Sequence, residues 1–172
     1  MPEARAVVES VEKTRRELER AGAVFESEYE FTDMIFAAKC EDFSKEFVRL
    51  RMYKVNNWTT KGFVLVQKQT HWSGAVKKEQ IVLKKEFDSS EEAMSFIQEE
   101  LKLKKCLEFS RVGFEYTWKN QRVFVENIEC LGASMEVEGH TAEEIERLFS
   151  KVTIGERAVA CVPELVRKAK CG

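Results

Sequence analysis

The sequence predicts an α+β protein built on an antiparallel sheet, and three observations carry that prediction. Apolar residues recur at helical spacing in separated segments. Between those segments apolar and polar residues alternate at period two. The resulting order is helix, strands, helix, strands, helix, with no linker, repeat or low-complexity stretch. The 172 residues suffice for one domain over positions 1–172 and are too few for two large ones.

The first helix is predicted over residues 11–21, with Ser10 as N-cap and Gly22 just past the end. A second starts at Ser89, where Ser89-x-x-Glu92 reads as a capping box and Ala93, Phe96, Ile97 and Leu101 form the apolar face. Thr141-x-x-Glu144 repeats the device before Ile145, Leu148 and Phe149. A short fourth helix follows Pro163. Strands are expected at 47–53, 62–69, 79–87, 110–118, 122–130 and 135–138. Lys119-Asn120-Gln121 suits a hairpin loop between two of them.

Composition narrows the function. Hydrophobic residues make up 44% and charged residues 34%, which permits a core beneath a well-solvated surface. No apolar run approaches the ~18 residues a membrane span needs, and the N-terminus lacks a signal-peptide stretch. A net charge of −2 argues against avid non-specific binding of nucleic acid or anionic membrane. The five cysteines are widely spaced with no C-x-x-C pair, so reduced thiols and a cytoplasmic location are expected. His71 and His140 have no ligand cluster around them in sequence, which disfavours zinc.

The polar faces of the strands are unusual. Arg49 and Arg51 share one face of a strand whose other face carries Val48, Leu50 and Met52. Glu136 and Glu138 share a face of another. One reading is a solvated outer surface. The other is an inverted barrel, apolar outward against helices and charged inward around a wet lumen. Like charges about 5 Å apart repel by about 3 kcal/mol at an effective dielectric near 20. Such a lumen is tolerable only when the signs interleave, or when an ion and an anion fill it. Carboxylates suit Mg²⁺ or Mn²⁺, and guanidiniums suit a polyphosphate.

The residues RREL-ERAGA, FVRLR, VLVQK, KKEQIVL, SSEEA, FSRVGFEY, VFVENIECLGASMEVEG and PELV occur in an order that resembles the CYTH superfamily, the triphosphate tunnel metalloenzymes. That superfamily includes class IV adenylyl cyclases, thiamine triphosphatases and inorganic triphosphatases. The resemblance spans residues 1–168 and implies a closed eight-stranded antiparallel β-barrel, a tunnel with helices packed outside. It implies that Arg5, Arg49, Arg51, Lys68 and Arg111 hold phosphates, and that Glu3, Glu79, Glu126, Glu136 and Glu138 direct Mg²⁺ or Mn²⁺. Glu136 and Arg111 are the implied catalytic pair, and Gly132 occupies the L-G turn. Homodimerisation is an implied option.

The chain departs from the family pattern. The E-x-E-x-K signature aligns with Met1, Glu3 and Arg5, so its first acid is missing and its lysine is replaced. A second acid expected after Glu79 is Ile81. Glu126 stands where Asp is more usual, and Cys161-Val162 where Ser-Tyr is common. The terminal position of Glu3 and Arg5 leaves fraying open as an alternative.

The expected function is metal-dependent hydrolysis of a nucleoside, thiamine or inorganic triphosphate. The alternatives are a cyclase forming cyclic AMP and pyrophosphate, and a non-catalytic polyphosphate or nucleotide binder. A third class, nucleic-acid handling through Lys102, Lys104, Lys105 and Arg111, ranks below these. Trp58, Trp72 and Trp118 are candidates for base stacking or for ordinary packing.

Overall fold

The computed structural model describes residues 1–44, 46–55 and 62–171. Trp58 therefore lies outside the described residues. The chain runs through β1 (Pro2–Val7), α1 (Val11–Arg20), β2 (Val24–Ala37), β3 (Val48–Val55), β4 (Phe63–Ser73) and β5 (Val76–Phe87). It continues with α2 (Ser90–Ser95), a π-helical turn (Phe96–Glu100), β6 (Lys104–Trp118), β7 (Gln121–Ile128), β8 (Gly132–Glu138), α3 (Ala142–Phe149) and α4 (Val162–Cys171). The strands close into one barrel in the order β1-β5-β4-β3-β2-β6-β7-β8. Every neighbouring pair is antiparallel, and β1 pairs with β8 to shut the ring.

The barrel is inverted, and side-chain alternation produces the inversion. On β7 and β8, Val123, Val125, Met135 and Val137 point outward and are fully buried under α1 and α3 against Leu18, Ile145 and Leu148. Their neighbours Glu126 and Glu136 point into the lumen. Val48 and Leu50 of β3 pack with Leu65, Phe87, Ala93 and Ile97 beneath α2, which leaves Arg49 and Arg51 to the inside. A third apolar layer lies under α4, where Val162 and Val166 meet Ile35, Phe43, Phe109 and Ile128. The apolar core thus lies between barrel and helices, and the barrel interior is polar.

The caps form where the sequence places them. Ser10 Oγ accepts from Lys13 N, and Ser89 Oγ accepts from Glu92 N. At α3 the box is complete: Thr141 Oγ1 accepts from Glu144 N, and the Glu144 carboxylate accepts from Thr141 N. At α2 the reciprocal half shifts by one, so Glu92 accepts from Asp88 N instead. The β6–β7 connection is tighter than expected. Trp118 pairs directly with Gln121, which leaves only Lys119 and Asn120 in the turn.

Several expectations need correction. The long strand β2 was not foreseen, because bulges at Phe25/Ser27 and Ile35/Phe36 break its alternation. β5 begins at Val76, three residues early, which brings Lys77 inside. β4 runs to Ser73, four residues past the expected end, so His71 and Trp72 lie on a strand. Glu3 and Arg5 are not frayed. Both are held in β1 at 6% exposure. Trp118 packs in the core and donates Nε1–H to Ala21 O at 2.8 Å. Among the described residues, no helix is long and apolar enough to cross a membrane.

The expectation of uniformly reduced thiols is also overturned. Cys40 and Cys106 form a disulfide, with Cα atoms 5.2 Å apart. The physical reason is β2 itself: its end pairs Ala37 with Lys104 and Phe36 with Lys105. That pairing sets the following loop against the start of β6, so a separation of 66 residues closes. A cytoplasmic location can no longer be argued from these two thiols. Closing so long a loop restricts the unfolded chain. Reduction is expected to lower unfolding stability by about 2–4 kcal/mol, measured by urea denaturation with and without reductant. A Cys40→Ser/Cys106→Ser variant should match the reduced protein, and equal stability in all three would show that the bond contributes nothing.

Candidate functional site

The barrel encloses a tunnel of about 390 Å³. Eight cationic and five anionic side chains line it, and their contacts divide them into a group around Asp33 and a group around Glu3, Glu136 and Glu138. One half is dominated by guanidiniums and the other by carboxylates.

The cationic half is organised by Asp33, which is completely buried on β2. Arg51 donates Nε–H to Asp33 Oδ1 at 2.7 Å and an Nη2–H to Oδ2 at 3.0 Å. Arg111 donates from Nη2 at 2.9 Å and from Nε at 3.2 Å, both to Oδ2. Burial alone would raise the Asp33 pKa, but the Arg51 and Arg111 guanidiniums outweigh it and hold the carboxyl well below the usual range. Arg51 Cζ also lies over Phe31, 3.6 Å from the ring centroid.

Arg49 differs from its neighbours. It makes no ion pair among the described residues, and its Nε is buried with no hydrogen-bond partner. Burial and the adjacent Arg51 cation both lower its pKa. A half-buried guanidinium with no ion pair among the described residues, beside two paired ones, is suited to an anion from outside.

Arg5 and Glu126 join the two halves. Arg5 Nη1 reaches Glu126 Oε2 at 2.8 Å and Ser134 Oγ at 2.7 Å, and its Nη2 reaches Glu136 Oε2 at 2.9 Å. Glu126 also accepts from Tyr29 Oη at 2.8 Å and from Arg111 Nη1 at 3.4 Å. Tyr29 fits because residue 113 is glycine: a Cβ there would lie 2.4 Å from the tyrosine oxygen.

In the acidic half, Glu3, Glu136 and Glu138 each offer a carboxylate oxygen, all within 4.8 Å of one another. Register explains the meeting. Glu3 of β1 pairs with Glu138 of β8, and Glu136 points the same way two residues earlier. Burial, and then the Glu136 carboxylate, push the Glu3 carboxyl up to about 8. The same two causes raise Glu138. Glu136 moves the opposite way: burial raises it, but Arg5, Lys77 and Arg111 outweigh burial and hold it well below the usual range. Glu79 pairs with both Lys68 and Lys77, which bring it down to about 2 against the opposing effect of burial.

The structure therefore brings together the residues singled out from sequence, but in two groups. Arg5, Arg49, Arg51, Lys68 and Arg111 all line the tunnel, as do Glu3, Glu79, Glu126, Glu136 and Glu138. Of the five acids, Glu79 and Glu126 are engaged by cations on both oxygens or by a cation and a phenol. Asp33, Tyr29 and Lys77 were missed. The alternation Tyr29-x-Phe31-x-Asp33 and the Lys77-x-Glu79 pair carried the signal, once β2 and the early start of β5 are recognised. Arg111 is inside the barrel at 5% exposure, apart from exposed Lys102, Lys104 and Lys105, so these four do not form one nucleic-acid surface.

No protein-family model matches the sequence, and no curated protein matches it. Solved structures do match in fold. The PH1012 protein of Pyrococcus horikoshii OT3 superposes with a TM-score of 0.78 at 20% identity, covering 96% of this chain and 99% of that one. HpAC1 from Hippeastrum was provisionally named an adenylyl cyclase and is described as revealing a dominant triphosphatase activity. It gives a TM-score of 0.61 at 15% identity, with 87% and 84% covered. A chain of the Schizosaccharomyces pombe Mediator head module gives 0.61 at 12% identity, with 92% and 100% covered. The fold is thus a closed antiparallel tunnel barrel, which agrees with the resemblance read from the sequence. At these identities the likeness concerns fold alone.

Two outcomes follow from the ion pairs. Arg51→Ala strips Asp33 of one of its two cations and should cost about 3–5 kcal/mol of stability, whereas Arg49→Met removes an unpaired buried cation and should leave stability unchanged or higher. Chemical denaturation of the two variants side by side measures the difference, and equal losses would contradict the pairing. The second outcome concerns pH. A Glu3 pKa of about 8 against an ordinary 4.5 means the folded state keeps a proton that the unfolded chain releases. That stability is present below pH 4.5 and is lost as pH rises through 8. Glu79, at about 2, acts in the opposite sense: its contribution is present above 4.5 and lost toward 2. Without divalent ions, melting temperature should fall between pH 5 and 8, and Glu3→Gln should flatten that fall; an unchanged slope in the variant would assign it elsewhere.

Proposed function

We propose that this chain is a divalent-metal-dependent enzyme that hydrolyses a phosphoryl bond of a triphosphate held in the tunnel. One observation carries the reading: a 390 Å³ tunnel joins Arg49, whose guanidinium has no ion pair among the described residues, to a cluster of three carboxylates. Electrostatics gives the arrangement its meaning. Each half alone is incompletely compensated, and a polyphosphate with a bound cation complements both.

The donors fit a hard cation. Glu3, Glu136 and Glu138 offer only oxygen, within the spread one ion can span. The proton on Glu3 is what such a cluster keeps when no metal neutralises it. When bound, Mg²⁺ or Mn²⁺ would supply charge neutralisation at a phosphoryl oxygen. Arg49, Arg51, Lys68 and Arg111 would grip the phosphate chain, with Arg51 and Arg111 held in place by Asp33. Arg111 would offset charge on the oxygens of the phosphate undergoing transfer, and Glu136 would hold the ion. The triphosphatase activity described for HpAC1 supports the same reading by analogy of fold.

A second reading, a non-catalytic binder of polyphosphate, is favoured by the surplus of cations over carboxylates in the tunnel. A product assay separates the readings. ATP, thiamine triphosphate and inorganic triphosphate are each incubated with Mg²⁺, with Mn²⁺ and with chelator. Metal-dependent phosphate release is expected. Cyclic AMP with pyrophosphate would point to a cyclase, and binding without turnover would point to the second reading. Arg49→Ala should raise KM by roughly tenfold, while Glu136→Gln should lower kcat by about a hundredfold or more and weaken the metal response. Unchanged kinetics in both variants would remove the site assignment.

A further inference from the structure

Lys77 of β5 is unlike the other cations of the tunnel. Its ammonium lies 2.6 Å from Glu3 Oε1, 3.0 Å from Glu79 Oε1 and 3.8 Å from Glu136 Oε2. These carboxylates come from three strands, and the Lys77 side chain is only 10% exposed. An ammonium touching three carboxylates stands where a free cation would otherwise be drawn, yet it is tethered to the chain. The geometry points to Lys77 as a resident cation that takes the place of a second divalent ion, so that the triphosphate-loaded tunnel holds one ion, at Glu3, Glu136 and Glu138. The inference rests on the triphosphate reading above and specifies its metal stoichiometry.

Ligand supply supports a single ion. Two-ion phosphoryl sites place their metals about 3.5–4 Å apart and need carboxylates for both. Here Glu79 is taken by Lys68 on one oxygen and by Lys77 on the other. Glu126 is taken by Tyr29, Arg5 and Arg111, and Asp33 by Arg51 and Arg111. Glu3, Glu136 and Glu138 are each engaged through one oxygen, by Lys77, Arg5 and Arg122, and offer oxygens that cluster tightly enough for one ion. Two positions beyond Glu79 on the same strand, where a further inward acid could stand, is Ile81.

The test counts Mn²⁺ bound to the full chain by electron paramagnetic resonance. The β,γ-imido analogue of ATP is present, and ion held by free nucleotide is subtracted. The wild type should bind one ion. Lys77→Gln should bind two, the first at least about tenfold tighter than in the wild type because a competing charge is gone. Lys77→Arg keeps the charge and should stay at one. Two ions in the wild type, or one ion with unchanged affinity in Lys77→Gln, overturns the inference about Lys77. No ion in the wild type and none in Glu136→Gln overturns the metal reading itself and this inference with it, so the two failures are told apart. Should Lys77→Gln not fold without metal, Lys77→Gln/Glu79→Gln removes one charge of each sign. Tighter Mn²⁺ binding by that variant than by the wild type supports the inference, and equal binding overturns it.

Discussion

The grip of two guanidiniums on one buried carboxylate holds the interior of this barrel open. Asp33 has no access to solvent, and its two oxygens accept from Arg51 and Arg111 on the strands to either side. Without such a partner, adjacent cations would repel across a low-dielectric space and favour collapse or unfolding. With it, the inner faces of β2, β3 and β6 carry full charges at fixed positions. An apolar lumen would be more stable and could not bind an anion. The polar lumen shifts the work of cohesion outward, to the valines, leucines and phenylalanines beneath the four helices.

That division explains how the site is built. Each inward side chain comes from a strand whose outer face is anchored in the core. Arg49 sits between buried Val48 and Leu50, and Glu136 between buried Met135 and Val137. Register then brings together acids from opposite ends of the sequence. The tunnel is thus pre-formed by backbone pairing.

The elements that followed simple rules were readable in the sequence. Ser10, Ser89 and Thr141 announced their helices because a side-chain oxygen at an N-cap is a local interaction. Arg49-x-Arg51 and Glu136-x-Glu138 were visible because they lie on strands of unbroken alternation. Asp33 was hidden because register shifts interrupt β2 at three places and its other inward residues are aromatic, so the one short alternation, Tyr29-x-Phe31-x-Asp33, does not stand out. Lys77 was hidden by its neighbour: in Lys77-Lys78 only pairing with β1 and β4 shows which lysine turns inward. The disulfide was illegible for the same reason, since it depends on where β2 ends. Resemblance supplied β1, whose six residues carry too little pattern to declare a strand alone.

β1 has a consequence for biosynthesis. It leaves the ribosome before the other seven strands, yet its partners are β5 and β8, and Glu3 meets Glu138 only when β8 has been made. During translation the opening strand must wait unpaired while most of the polypeptide emerges, an exposed edge open to chaperones or to aggregation. The ring and the acidic half of its interior are completed in the same late event, so a nascent chain stalled before β8 would possess the arginines but not the assembled carboxylate cluster.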